Sequence, residues 1–284
     1  MNDRDKVCTF AFMERMNVRL RMVAWLFGLG LLVGCDIIDV HPYDGNVDCA
    51  KGLNVSNIRR IEYSCAGKDT IRLAVISDTQ RWYDEMRDEV RSINARGNVD
   101  LVIHCGDISD FGMTKEYEWQ TGILQMLRMP YVVLLGNHDC VGSGKEVFRS
   151  VFGTENFAFT AGFVRFVCLD TNALEYDFSS PVPNLTFMRH EVENVPEEVT
   201  ATIVAMHVMP FSDEFNDDVA EAFEHQIRRM RNPLCCLCGH GHTTETSEPF
   251  GDGILYHQIT CAKYRQYYVF TLMKEGYAYE TIDY

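Results

Sequence analysis

From residue 71 onward, short apolar runs alternate with amphipathic stretches. The first part of this pattern predicts strands over Ile71–Ile76, Leu101–Cys105 and Tyr131–Leu135, with helices over about Tyr83–Ala95 and Thr114–Leu127 between them. Continuous apolar strands are typical of a sheet whose two faces are both covered by helices. The pattern therefore predicts an α/β fold with a doubly covered sheet.

The second part of the chain predicts a mixed arrangement of strands and helices. A hairpin is predicted first, and single strands and helices alternate before three final strands. The predicted elements are the hairpin strands Phe157–Thr160 and Val164–Leu169, a helix near Asn184–Asn194, strand Ala201–Met206, a helix near Val219–Met230, and strands Leu234–Cys238, Ile254–Ile259, Tyr267–Met273 and Tyr277–Ile282. Two mixed sheets packed together, with helices outside, accommodate all of them.

The amino-terminal residues have the pattern of an export signal. Arg15, Arg19 and Arg21 precede the uncharged run Met22–Gly34, which is too short to span a bilayer but suits a signal-peptide core. The run ends in Leu-Val-Gly-Cys and resembles the lipobox of bacterial lipoproteins, which are cleaved before a cysteine that is then acylated. A buried core helix is the alternative. We therefore predict a lipoprotein signal peptide over residues 1–34, an anchor and tether over 35–57, and one folded domain over 58–284.

Composition narrows the class of protein. The chain is 46% hydrophobic and 12% aromatic, which excludes a disordered protein. Its formal net charge is -15. A surface this acidic repels phosphate backbones, so we expect no nucleic acid as a stable partner. An anionic substrate then requires a local positive centre.

The eleven cysteines indicate mainly core positions. Most lie in apolar, strand-like runs, where a free cysteine behaves as a small hydrophobic residue. Cys49 with Cys65 is the one disulfide that the sequence makes plausible for an exported domain. Cys236 and Cys238 resemble half of a zinc knuckle, but no second closely spaced pair completes four ligands.

Each central strand is followed at once by residues that can bind a metal ion. The carboxyl ends of strands in α/β sheets meet at one edge, so side chains from distant stretches of sequence converge there. The five strands concerned are Ile71–Ile76, Leu101–Cys105, Tyr131–Leu135, Ala201–Met206 and Leu234–Cys238. In the same order, the residues that follow them are Asp78 and Gln80, Asp107, Asn137 with His138 and Asp139, His207, and His240 with His242.

Carboxylates, imidazoles and an amide in this number fit a pair of divalent cations. The mixture of nitrogen and oxygen donors favours Mn, Fe or Zn over Ca. Any one of these short motifs alone is more commonly a helix cap or a turn. Their joint order, each behind an apolar strand, favours a metal site.

The ordered motifs are Asp78-Thr79-Gln80, Gly106-Asp107, Gly136-Asn137-His138-Asp139, the single His207, and Gly239-His240-Gly241-His242. This order resembles that of the calcineurin-like metallophosphoesterase family. The resemblance covers about residues 71–284. It implies a four-layer α/β/β/α sandwich of two mixed sheets, with a dimetal site along one edge.

The resemblance also implies an assignment of ligands. The first metal takes Asp78, Asp107 and His242, with Gln80 at the position where the family usually has histidine. The second takes Asp107, which bridges, with Asn137, His207 and His240. Because an amide oxygen is a harder ligand than imidazole, we expect Mn, Fe or Mg at this site rather than Zn.

The implied activity is hydrolysis of phosphomonoesters or phosphodiesters. A metal-bridging hydroxide attacks phosphorus, His138 assists the leaving oxygen, and Asp139 orients His138. Arg81, Tyr264 and Arg265 are weaker candidates for phosphate contacts at the rim. The alternative is a catalytically weak lipoprotein that retains the fold and binds a phosphorylated ligand, an idea motivated by Gln80.

The expected partners are a small phosphorylated substrate and a bacterial membrane, reached through the lipid anchor at Cys35. The expected location is the periplasmic or cell-surface face of that membrane. Cys35→Ser should remove acylation, because the thiol is the acylated group, and shift the expressed protein from the membrane to the soluble fraction. Fractionation and intact-mass measurement check this. Finding residues 1–34 uncleaved, or equal membrane retention of both forms, would contradict it.

Overall fold

The computed structural model describes residues 41–175 and 181–284, together with Met22. The chain divides into two units, residues 1–41 and 42–284, and the sheets lie in the second. The signal peptide over residues 1–34 and the lipidation site Cys35 fall outside the described residues and stay predictions. No helix within the described part is long and apolar enough to cross a membrane.

The first sheet has five strands in the order β11-β10-β1-β2-β3. Its strands are β1 (Thr70–Ile76), β2 (Leu101–His104), β3 (Tyr131–Val133), β10 (Gln266–Met273) and β11 (Gly276–Asp283). The β1, β2 and β3 strands are parallel, whereas β10 runs antiparallel to β1 and β11 antiparallel to β10. The carboxyl ends of β1, β2 and β3 therefore share one edge.

The second sheet has six strands in the order β4-β5-β6-β7-β9-β8. They are β4 (Phe157–Ala161), β5 (Val164–Leu169), β6 (Ala201–Met206), β7 (Pro233–Cys238), β8 (Glu245–Ser247) and β9 (Leu255–Gln258). The central β5, β6, β7 and β9 strands are parallel to one another. Antiparallel partners, β4 and β8, close the two sides.

Residues 41–175 and 181–284 form six α-helices; the first lies beside the edge strand β3, and the other five cover the outer faces of the two sheets. The helices are α1 (Leu53–Cys65), α2 (Tyr83–Arg96), α3 (Thr114–Leu124), α4 (Gly144–Val151), α5 (Leu185–Glu193) and α6 (Ala220–Arg229). Short 3-10 turns span His138–Cys140, Ala173–Glu175, Asp217–Val219 and Ala262–Tyr264.

Among the residues that the structure describes, the apolar side chains separate into three cores. In β1, Leu73 and Val75 face the core between the two sheets, whereas Ala74 and Ile76 face the core beneath the helices of the first sheet. Phe223 of α6 belongs to the third core, outside the second sheet. Because side chains alternate between the faces of a strand, one continuous apolar run supplies two cores. This four-layer arrangement confirms the predicted α/β/β/α sandwich.

The first helix differs from the sequence prediction. The tether was expected to reach residue 57, but α1 begins at Leu53 and buries Ile61 in the core. Asn54 donates its Nδ2 to the Val133 carbonyl at 2.8 Å and accepts the Val133 amide at 2.9 Å. Its carboxamide therefore satisfies the open edge of β3, a use of a polar residue that hydrophobic periodicity does not reveal.

The expected disulfide is also absent from the structure. Cys49 and Cys65 are both free. Cys65 is buried in the core between the sheets, whereas Cys49 packs against the core on the outer face of the first sheet. Because the first sheet lies between these two cores, the two thiols do not meet.

Candidate functional site

The loops that follow β1, β2, β3, β6 and β7 meet at one edge of the sandwich. Backbone hydrogen bonds hold neighbouring loops together: the Asp78 amide donates to the Gly106 carbonyl at 3.0 Å, and the Gly239 amide donates to the His207 carbonyl at 3.1 Å. The edge is therefore built from backbone turns that are hydrogen-bonded to one another. It brings the predicted metal-binding residues to one place.

Four of these residues adopt a left-handed backbone conformation. The φ angles are 53° at Asp78, 59° at Asp107, 68° at His240 and 53° at His242. A positive φ in a residue other than glycine is uncommon and costs on the order of 1–3 kcal/mol. The left-handed conformation bends the backbone sharply after each strand and directs these side chains toward the shared edge.

Contacts of 3.4 Å or less link all seven predicted ligand residues in one continuous series. The order is Gln80, Asp107, His207, Asn137, His240, Asp78 and His242. Asp78, Asp107 and His207 in addition place one ligand atom each within 4.8 Å of the others. The structure thus brings every one of these residues to the same site.

The two carboxylates at the centre are fully buried. Asp78 is 0% and Asp107 1% exposed. The His240 amide donates to Asp78 Oδ2 at 3.0 Å, and the His138 amide donates to Asp107 Oδ1 at 3.0 Å. Within residues 41–175 and 181–284, neither carboxylate forms an ion pair with lysine or arginine. Buried negative charge of this kind requires positive charge nearby.

His207 shows how strongly the site attracts positive charge. Burial lowers the pKa of His207, but the charges of Asp107 and Asp78 outweigh burial and raise it to about 10. Its Nδ1 donates to the Cys105 carbonyl at 2.7 Å. Its Nε2 then faces two oxygens, Asn137 Oδ1 at 3.0 Å and Asp107 Oδ1 at 3.4 Å. A proton or a metal cation must therefore sit on the Nε2 side.

The orientation of the Asn137 amide is set by a residue outside the predicted set. Asn137 Nδ2 donates to Glu214 Oε1 at 3.2 Å. Its oxygen consequently points toward His207 Nε2 and toward His240 Nδ1, the latter at 3.2 Å. An amide oxygen between two imidazole nitrogens is arranged as a cation ligand. Glu214 follows no strand end, so the sequence offered no signal for it.

Gln80 carries a polar atom with no partner. The side chain is 3% exposed and its Nε2 donates to Asp107 Oδ2 at 3.3 Å. Its Oε1 is buried and accepts no hydrogen bond from any described residue. Since buried oxygens are normally satisfied, this one fits a metal ligand. The donor set as a whole, with two carboxylates, two amide oxygens and three imidazoles, fits a pair of divalent cations.

The two histidines after β7 differ in their electrostatic surroundings. Burial and the neighbouring His207 lower the pKa of His240. The hydrogen bond to Asp78 raises the pKa of His242, whose Nε2 lies 3.1 Å from Asp78 Oδ1. His242 is the more exposed of the two, with 46% of its side chain accessible. It therefore forms the solvent side of the site.

The contact expected between Asp139 and His138 is not present. His138 Nδ1 instead donates to the Asp110 carbonyl at 2.9 Å and lies 3.6 Å from Asp110 Oδ1. The Asp139 carboxylate points inward, and accepts the amides of Gly136, Asp107 and Ser109 at 2.8–3.0 Å. Asp139 thus fixes the loop that carries Asp107, and Asp110 orients His138. Asp110 lies three residues after Asp107 in the same loop and was not among the residues predicted from the sequence.

A second buried chain of hydrogen bonds supports the loop after β1. His104 Nδ1 accepts the Gly106 amide, so its Nε2 donates to Thr79 Oγ1 at 2.9 Å. Gln120 Nε2 donates to the Thr79 carbonyl at 2.7 Å. Burial lowers the pKa of His104 to about 3, which keeps this ring neutral. Thr79 is held from both sides, and with it the flanking Asp78 and Gln80.

The rim candidates are occupied by other contacts. Arg81 pairs with Asp110, and Arg265 donates to Asp88 Oδ2 at 3.0 Å. Tyr264 is exposed, with the ammonium group of Lys263 lying 5.4 Å from its ring centroid. Arg81 is the one of the three that lies beside His138, through their common partner Asp110.

Comparisons with known proteins agree with this geometry. A family model described as calcineurin-like phosphoesterase matches residues 71–244. A 3′,5′-cyclic-nucleotide phosphodiesterase of Nostoc sp. (strain PCC 7120) is 27% identical over 143 residues, 50% of this chain and 52% of that protein. A glycerophosphodiester phosphodiesterase of Enterobacter lignolyticus is 22% identical over 193 residues, 62% of this chain and 65% of that protein. The chain thus spans about half the length of the first relative and under two thirds of the second.

The fold is shared with solved structures as well. Purple acid phosphatase PPD1 from yellow lupin (Lupinus luteus) superimposes with a TM-score of 0.57 at 13% identity, covering 77% of this chain and 55% of that one. The family match extends over more than half of the sequence. The chain belongs to the calcineurin-like phosphoesterase family.

Gly136 is required by the close approach of two loops. A Cβ at Gly136 would overlap both Oδ1 and the amide nitrogen of Asp107. Gly136→Ala should therefore displace Asp107, lower the free energy of unfolding by about 1–3 kcal/mol and reduce bound metal. Chemical denaturation and metal analysis of the purified variant measure the two effects.

Gly122→Ala is the matched control, because a Cβ there meets no atom within 4 Å and Gly122 lies in a helix. This control should gain about 0.5–1 kcal/mol and keep its metal. Wild-type metal content and stability in Gly136→Ala would show that the Asp107 loop is not constrained as described.

Proposed function

We propose that this calcineurin-like phosphoesterase hydrolyses phosphomonoesters or phosphodiesters with the help of two divalent cations. The chain of contacts from Gln80 to His242, built around two buried carboxylates, is the observation that carries the proposal. The names of the two relatives, both phosphodiesterases, favour a diester substrate.

The residues divide into two cation positions. Asp78, Gln80, Asp107 and His242 would hold the first cation, and Asp107, Asn137, His207 and His240 the second. The geometry of Asp107 supports its place in both groups. Its Oδ2 lies 3.3 Å from Gln80 and its Oδ1 3.4 Å from His207, so its two oxygens face opposite halves of the site.

Charge explains why a phosphate would enter an acidic protein. Two aspartates against two divalent cations leave a local charge of about +2, although the chain as a whole carries -15. Bound there, the cations supply Lewis-acid activation of water and neutralise charge that develops on the phosphoryl oxygens. The protein contributes the fixed positions of the ligands around them.

In this proposal His138 donates a proton to the leaving oxygen. Because its Nδ1 donates to the Asp110 carbonyl, Nε2 is the atom that carries the exchangeable proton. The Asp110 carboxylate lies 3.6 Å from Nδ1, on the same side of the ring. The side chain is 37% exposed, so it can reach a bound substrate.

The second candidate function is binding of a phosphorylated ligand without rapid hydrolysis. The substitution of Gln80 for the usual histidine is the observation behind it. The contact between His138 and Asp110 favours the enzyme, because a pure binding protein has no need of a proton donor for a leaving group.

Membrane attachment through Cys35 remains our proposal from the sequence.

Metal content and hydrolysis measured together test the dimetal proposal. The wild-type protein should bind two ions per chain and hydrolyse p-nitrophenyl phosphate or bis(p-nitrophenyl) phosphate. Asp107→Asn should lose more metal and more turnover than Asn137→Ala, because Asp107 alone faces both positions. We expect at least about a 100-fold loss in rate, since even the outer partners of metal ligands typically contribute 10–100-fold.

His138→Asn serves as the internal control, because this residue is not placed as a ligand. It should keep both metals and lose about 10²–10⁴-fold in rate toward alkyl esters, whose leaving oxygen needs a proton. Equal metal content and rate in wild type and Asp107→Asn would refute the dimetal site. Two bound metals with no hydrolysis of either substrate would favour the binding protein.

Gln80 determines the metal preference of the first position. Because it offers a neutral amide oxygen, Mn or Mg should support activity better than Zn, and Gln80→His should shift the preference toward Zn or Fe. Gln80→Ala should weaken the first position by roughly tenfold or more while the second stays filled. Calorimetric titration of each ion into metal-free protein gives both affinities.

Gln125→Ala, at an exposed glutamine just after α3, controls for loss of an amide elsewhere and should bind both ions as wild type does. If Gln80→Ala also binds two ions with unchanged affinity, then Gln80 is not a ligand and its buried oxygen has another role.

A further inference from the structure

A groove of about 520 Å³ opens beside the metal site on the side of the second sheet. His240 forms part of its wall, and His240 Nδ1 lies 3.2 Å from Asn137 Oδ1. The loops after β6 and β7, together with β8 and the end of β9, supply the rest of the wall. The volume is within the range of small-ligand sites, about 300–1,000 Å³. A substrate whose phosphate lies at the metals would extend its organic group into this groove.

An aromatic ring is held at the groove under backbone strain. Phe211 lines the groove with 56% of its surface exposed and has a φ of 67°. For a bulky residue such a φ is an outlier. The Phe211 amide donates to Asp217 Oδ1 at 3.0 Å, and the ring packs on Phe250 with centroids 5.1 Å apart. The fold thus keeps an apolar ring facing solvent at a cost, which is typical of a ligand contact.

The charge of the groove is negative. Glu245 and Glu248 line it, and no lysine or arginine is among its described lining residues. In the part of the chain that the structure describes, Glu245 and Glu248 take part in none of the ion pairs. A second phosphate or a carboxylate on the substrate would be repelled here.

Basic side chains lie on another part of the rim, beside the loop after β1. Arg81 pairs with Asp110 next to His138, and the ammonium of Lys263 lies 5.4 Å from the Trp82 ring centroid. Neither Arg81 nor Lys263 lines the groove. An exposed aromatic face attracts alkylammonium ions, and a nearby carboxylate adds the attraction of opposite charges.

We propose that the groove formed by Phe211, Glu245 and Glu248 beside His240 is the subsite for a positively charged, ammonium-bearing group of the phosphoester. This rests on the proposed function, since the metals must hold the phosphate. The subsite distinguishes substrates by the charge of the organic group, whereas the seven predicted ligand residues surround the metals.

The test compares two ligands of equal shape and different charge. 2-(Trimethylammonio)ethylphosphonate and 3,3-dimethylbutylphosphonate differ by nitrogen against carbon, and their P–C bond resists hydrolysis. Calorimetry on the metal-loaded wild-type protein should show the ammonium compound binding about tenfold more tightly, equivalent to about 1.4 kcal/mol. The double variant Glu245→Gln with Glu248→Gln should bind both nearly equally, and Phe211→Leu should lose part of the preference.

Glu275→Gln is the matched control, because it removes one negative charge at the β10–β11 turn, at the opposite edge of the first sheet. It should keep the full preference. Equal binding of both phosphonates by the wild type, or an unchanged preference in the double variant, overturns the subsite.

Hydrolysis of p-nitrophenyl phosphate and bis(p-nitrophenyl) phosphate, which carry no ammonium group, is measured in parallel and reports on the proposed function by itself. Preferential binding without hydrolysis refutes the enzyme and keeps the subsite. Hydrolysis without preferential binding supports the enzyme and refutes the subsite. The two proposals can therefore fail independently of each other.

Discussion

The site depends on burying Asp78 and Asp107 side by side at the edge of the sandwich. Removing two carboxylates from water without lysine or arginine partners is costly, and backbone amides offset part of that cost. The rise in the pKa of His207 to about 10 is the remaining response to the same charge. A cation between Asp78 and Asp107 would neutralise this buried negative charge. Metal binding would therefore stabilise this edge of the sandwich.

Holding those carboxylates together requires backbone turns that tolerate no extra atom. Asp139 gathers the amides of the Gly136 and Asp107 loops on one buried carboxylate, and burial together with the charge of Asp107 raises the pKa of Asp139 to about 7. A Cβ at Gly239 would overlap Ser77 Oγ, as one at Gly136 would overlap Asp107. The glycines in these motifs are thus explained by close approach between loops rather than by flexibility.

The strand pattern predicted two mixed sheets with metal-binding residues at one edge, because each of those residues follows a strand that ends in a turn. The four layers and the assignment of each ligand came from the resemblance to the phosphoesterase family. Each ligand comes directly after an apolar run, so its position at the edge was implied by the order of the elements. The contacts of Asp110, Asp139 and Glu214 could not be assigned in that way, because they depend on which loop packs against which. The polar helix α1 was missed for a related reason, since Asn54 serves the edge of β3 rather than an apolar face.

The negative charge of the whole chain and the chemistry of the site operate over different distances. At physiological salt the Debye length is about 8 Å, so exposed charges far from the metals have little influence on a bound phosphate. Under the proposed function, groups close to the metals would decide what binds: the cations would attract the phosphate, and Glu245 and Glu248, which line the groove with His240, would act on the group that the phosphate carries. The predicted ligand residues follow the strands of the two sheets, whereas the groove is built largely from loops, where specificity is free to vary.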